Sequence, residues 1–88
     1  MKNPLRAANN PRDICYTAAS IIKKSPGLWH VTTAYTEGPW KSQGIMAEVH
    51  AVDGFLVALN PFNGKPMKVF TDVSELSTWI FERTGIHA

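Results

Sequence analysis

Cysteine is almost missing from this chain: Cys15 is the only one in 88 residues, so no disulfide can form within it. Long apolar runs are missing too. The longest, Gly54 to Leu59, falls far short of the ~18 residues that a membrane-spanning helix needs. Residues 1–13 carry Lys2, Arg6, Arg12, Asn9, Asn10 and two prolines, with no apolar core of the kind found in a secretion signal. These absences lead to the expectation of a cytoplasmic protein with no membrane association.

The motifs of catalysis and metal binding are equally scarce. No glycine-rich loop is followed by the lysine and hydroxyl of a phosphate-binding loop. The three histidines stand 20 and 37 residues apart with no cysteine pair near them, which does not match the ligand spacing of a zinc site. Cys15 has no histidine close by in sequence, and no serine lies in a nucleophile-elbow context. The sequence therefore predicts no metal, no cofactor and no enzymatic activity.

An apolar fraction of 44% suits one small globular domain. The net charge of +2 is unevenly spread. Residues 1–24 hold Lys2, Arg6, Arg12, Lys23 and Lys24 against Asp13, and residues 25–88 hold four cations against six carboxylates. The front is basic and the remainder mildly acidic. Residues 1–9 read as a flexible basic arm and residues 10–88 as the domain.

The expected fold is α+β, in the order α-β-β-β-β-α. Asn10 before Pro11 resembles a helix start. Ile14, Ala18, Ile21 and Ile22 recur at helical spacing, and Pro26-Gly27 stops the pattern, predicting a first helix over 11–24. Alternation predicts a strand over 28–36, with Trp29, Val31, Thr33 and Tyr35 inward, then a loop over 37–44. Two further strands, 45–51 and 55–60, flank Val52-Asp53-Gly54.

That turn admits two registers. A two-residue Asp-Gly turn pairs Val52 with Phe55, and sets His50 beside Val57 and Glu48 beside Leu59. A three-residue loop pairs Ala51 with Phe55 and gathers Ile45, Ala47, Val49, Ala51, Phe55, Val57 and Leu59 on one face. The second is favoured because that face is uniformly apolar. The segment 60–64 is dense in turn residues. A fourth strand is expected over 66–71, with Met67 and Val69 inward. Asp72 and Glu75 resemble a capping box opening a second helix with Val73, Leu76, Trp79 and Ile80 on its apolar side, closed by Gly85. The whole is a four-stranded antiparallel meander with both helices on one face. Cys15, inside the first helix, is expected to be a buried small hydrophobe.

Three surfaces stand out as candidates. The outer sheet face is expected to display His30, Thr32, Met46, Glu48, His50, Leu56, Ala58, Asn60, Lys68 and Phe70. Its polar members read as an ordinary solvated sheet face, while the apolar members Met46, Leu56 and Phe70 argue against a purely solvated one and offer a contact patch. Trp40, next to Lys41, either folds back to plug the sheet edge or anchors an interface. The leading expectation is a small protein-binding or self-associating module, a possible homodimer, acting through Trp40, Lys41, Met46, His50, Leu56 and Phe70. The alternative is nucleic-acid binding by Lys2, Arg6, Arg12, Lys23, Lys24, His30 and Lys68, though five cations at the front offer only a modest phosphate-binding contribution. A more remote reading is a small enzyme using Glu48 and His50 for proton transfer.

Overall fold

The computed structural model describes residues 14–88. Five strands lie in chain order in one antiparallel sheet: β1 (Ile14–Ser25), β2 (Leu28–Glu37), β3 (Trp40–Val52), β4 (Phe55–Leu59) and β5 (Pro66–Phe70). One helix, α1 (Val73–Thr84), closes the chain. The α+β class stands, but the sheet has five strands and one described helix, not four and two. The arm expected over 1–9 and the helix start at Asn10-Pro11 lie outside the described residues.

The first predicted helix is a strand over all of its described length. The cause is a bulge. β1 pairs with β2 through Tyr16↔Tyr35 and Ala18↔Ala34, leaving Thr17 as an extra residue. An inserted residue switches the side on which later side chains fall. Ile14 and Ile21, seven residues apart, therefore share one face of a strand, as they would share one face of a helix. The β-branched and aromatic residues Ile14, Tyr16, Thr17, Ile21 and Ile22 suit the extended state, and pairing with β2 decides it. Cys15 is consequently exposed, not buried.

Three two-residue turns set the registers. Ser25↔Leu28 encloses Pro26-Gly27, with Gly27 at φ 78°, as a proline-then-glycine turn demands. Glu37↔Trp40 encloses Gly38-Pro39, with Gly38 at φ 59°, so the segment expected to be a loop is a hairpin tip. Val52↔Phe55 encloses Asp53-Gly54, where both residues have positive φ, 51° and 83°. The tight Asp-Gly hairpin thus prevails over the favoured three-residue loop, because its backbone twist matches that of the flanking strands.

This register divides β4 and β5 oppositely to expectation. Val49 pairs with Ala58, and Leu56 with Phe70. Leu56, Ala58 and Phe70 face α1. Val57 and Val69, paired with each other, face away beside His50. Val49 is inward as expected, while Val57 and Val69 are not.

The core lies under α1. Leu76, Trp79 and Ile80 pack on Val31, Ala47, Val49, Ala58 and Phe70, with Ala19, Ile21, Trp29, Met46 and Leu56 around them. Ala47 and Ala58, fully buried, are the small residues that let the helix come close to the sheet. The Phe70 and Trp79 rings meet at 5.5 Å in a tilted arrangement, a favoured aromatic geometry. The helix start is capped as predicted: the Glu75 amide donates to Asp72 Oδ1 at 2.9 Å, and the Thr71 amide donates to Glu75 Oε1 at 2.7 Å. At the other end Gly85, at φ 76°, donates its amide to the Phe81 carbonyl.

The helix is shorter than the sheet. Twelve helical residues reach about 18 Å, whereas the described chain is 47 Å in its longest dimension. The far ends of β1, β2 and β3 therefore project as a three-stranded wing beyond α1.

Two stability predictions follow from this packing. Ile80→Ala is expected to cost about 2–5 kcal/mol in chemical denaturation, as a fully buried aliphatic beneath the helix. Val69→Ala, on the far side of the sheet and 55% exposed, should cost less than about 1 kcal/mol. Equal losses would contradict the assignment of sheet sides.

Candidate functional site

The side of the sheet away from α1 has no covering element among the described residues. Paired residues share a side, so the pairing defines its members. Ile22↔His30 and His30↔Glu48 continue across β3 to Leu59, and Leu28↔His50 continues to Val57 and Val69. Val52↔Phe55 completes the edge beside the Asp53-Gly54 turn. Ile22, Leu28, Val52, Phe55, Val57, Leu59 and Val69 thus form one apolar surface. Phe55 is 47% exposed and Val69 55%. Left in water, such area forgoes roughly 25 cal/mol per Å² of stabilisation.

A polar cluster is set into this surface. Glu48 lies between two histidines, with His50 Nε2 at 3.4 Å from Oε1 and His30 Nε2 at 4.0 Å from Oε2. The strand geometry explains the grouping. Glu48 and His50 are two apart on β3 and point the same way, while His30 is the direct cross-strand partner of Glu48. The carboxylate accepts from His50, and its other oxygen attracts His30 when that ring is protonated. No grouping of histidine, cysteine and carboxylate side chains suited to a metal ion occurs among the described residues.

Two clefts among the described residues lie elsewhere. One of about 500 Å³ opens beside the wing on the α1 side, lined by Tyr16, Tyr35, Ile45, Met46 and Phe62 among others. A smaller one of about 330 Å³ is bounded by Ile21, Trp29, Leu56, Val73 and Leu76. Neither is lined by Glu48 or His50.

Several predicted site residues separate. His50 lies on the open side as expected. Phe70 is buried and Leu56 packs against the core, so neither belongs to that surface. Met46, the extra residue of a bulge in β3, is half-buried against the core. Lys68 pairs with Ala58 on the α1 side. Trp40 does not fold back: it sits at the β2–β3 hairpin tip, 70% exposed, with exposed Lys41 next to it. Among the cations proposed for nucleic acid, Lys2, Arg6 and Arg12 lie outside the described residues. Lys23 and Lys24 end β1 at one edge of the sheet, His30 sits on the open side, and Lys68 is on the opposite side in the far edge strand. The structure does not bring His30, Lys68 and the lysine pair together.

Sequence reasoning missed Ile22, Val52, Phe55, Val57 and Val69 as surface residues. The missing signal was present in Asp53-Gly54: once both turn residues have positive φ, the alternation in β4 and β5 follows. Phe62 is 91% exposed between the Asn60 and Asn63 turn bonds, in a segment whose sequence signals only a turn.

No known protein family, curated protein or solved structure matches this chain. No helix of the described residues is long and apolar enough to cross a membrane.

Trp40→Ala is expected to change unfolding free energy by less than about 0.5 kcal/mol, because the indole has little of the fold to pack against. Its fluorescence in the Trp29→Phe, Trp79→Phe background should be red-shifted and readily quenched by iodide. A blue-shifted, protected indole would remove Trp40 from the exposed surface.

Proposed function

We propose that this protein is a non-catalytic interaction module that binds another protein surface through the open side of its sheet, with the Trp40 hairpin as a second contact. The observation that carries this reading is the group of apolar residues Ile22, Leu28, Val52, Phe55, Val57, Leu59 and Val69 on one uncovered side, surrounding the His30–Glu48–His50 cluster. Small monomers seldom leave such a patch in water. An apolar centre bearing a few polar groups is also the composition of an interface core.

The His30–Glu48–His50 cluster serves specificity in this reading. A partner that covers the surface must supply a matching group or leave a desolvated carboxylate without sufficient hydrogen bonds, a penalty that rejects wrong partners. Trp40 supplies the large rigid side chain typical of an interface anchor. It stands at the wing tip and pairs with Glu37, which puts it on the α1 side of the sheet, so a partner contacting both must reach around the tip.

Site-specific photo-crosslinking in cells tests the proposal. A benzophenone side chain at Phe55 or Val69 is expected to yield defined protein adducts, either with a second copy or with another protein. The same group at Thr78, on the exposed side of α1, provides the background. Adduct formation at Phe55 and Val69 no higher than at Thr78 would rule the reading out.

A further inference from the structure

A second surface is independent of the open side: the edge of β1, which has no neighbouring strand among the described residues. Each edge of a sheet presents unpaired backbone amides and carbonyls to any strand that can approach. The two edges here differ. β5 has five residues, begins with Pro66 and carries Lys68. Proline and lysine on a short strand are common means of blocking an edge. β1 has twelve residues, and from Ile14 to Ile22 it contains no charge, no proline and no glycine. Its bulges at Thr17 and Lys24 interrupt regular pairing near the ends. Between them Ala18–Lys23 pairs with β2 without irregularity.

We infer that β1 pairs antiparallel with β1 of a second copy, about a two-fold axis at Ser20, to form one continuous sheet across the dimer. A symmetric antiparallel pair requires the axis to stand normal to the sheet and one residue to face itself. Three observations select Ser20 and a second copy as the occupant. With Ser20 on the axis, Ala18 faces Ile22 on the open side and Ala19 faces Ile21 on the α1 side. The sides follow from Ile22↔His30 and Ile21↔Val31. Each isoleucine thus meets an alanine, and small against large fills the space on both sides. The regular stretch between the bulges is the part that pairs. Finally, the antiparallel arrangement sets Lys23 and Lys24 of one copy beside the uncharged Tyr16–Thr17 stretch of the other. A parallel arrangement would stack the lysine pairs on each other. Avoidance of that repulsion favours the two-fold form.

The consequences differ from those of contact through the open side. Edge pairing leaves both open sides uncovered and joins them into one wider surface, with both helices on the other side. Closure uses both β1 edges and leaves only β5 edges at the ends, so the assembly stops at two copies.

Cysteine trapping tests this directly. Residues that face each other across an antiparallel pair have Cα atoms about 4.5 or 5.5 Å apart, and both separations suit a disulfide. In a Cys15→Ser background, Ser20→Cys should form a covalent dimer under mild oxidation at least about tenfold faster than Thr78→Cys, because pairing raises the local thiol concentration. Val69→Cys should behave as Thr78→Cys does. Without any mutation, β1 amides should gain protection from hydrogen exchange as concentration rises. Faster crosslinking at Val69 than at Ser20 would assign the dimer to the open side and overturn the inference. Sedimentation of the unmodified chain as a monomer at millimolar concentration would overturn it as well. Neither result depends on the adducts found at Phe55, so the two surfaces are judged separately.

Discussion

The contact between Leu76, Trp79 and Ile80 of α1 and the floor formed by Val31, Ala47, Val49 and Ala58 sustains the rest of the molecule. A sheet in water needs apolar area removed from solvent on at least one side, and here a single twelve-residue helix does that work. Each fully buried Val, Leu, Ile or Phe contributes about 1.5–3 kcal/mol, and these are concentrated in one layer. One helix can seal only one side. The apolar opposite side follows from that constraint: β4 and β5 carry hydrophobic residues in both phases of their alternation, and half of them meet no helix among the described residues.

Much of the fold was legible in the amino-acid sequence where local chemistry acts alone. Asp72 and Glu75 announce the helix start, Gly85 its end, and Trp79 and Ile80 its buried side. The strand over Trp29–Tyr35 shows in plain alternation. What could not be read depends on bulges and turns. Thr17 in β1 restores to a strand the seven-residue coincidence of Ile14 and Ile21 that reads as helical. The Asp53-Gly54 turn moves all of β4, and with it β5, by one residue relative to the uniformly apolar alternative. Optimising the apolar content of one side misled because the true arrangement leaves apolar residues on both.

The same error explains the fate of the candidate site. Placing the open side correctly needed His30, Glu48 and His50, which sequence alternation supplies, and Val57 and Val69, which only the turn supplies. The polar cluster was therefore legible and its apolar surround was not. Phe70 and Leu56 were named for the right physical property, hydrophobicity at a sheet surface, and assigned to the wrong side. Trp40 is a different case. Its position depends on Gly38-Pro39 forming a two-residue tip, and glycine followed by proline between polar and aromatic residues can equally mark a longer loop.

Two-residue connections also govern which length changes the chain can absorb. From Ser25 to Phe55 every link is as short as a hairpin permits. An insertion there either opens the turn or displaces a strand by one step and exchanges its two sides. The segment between β4 and β5 is built differently. Asn60 accepts from the amides of Phe62 and Asn63, and its own amide returns to the Lys65 carbonyl, so the connection is closed at its base by its own bonds. Extra residues near Phe62 and Asn63 can bulge outward above that closure without transmitting a shift to either strand. Evolutionary growth of this small domain, or the placement of an internal fusion, is therefore confined by backbone geometry to one loop.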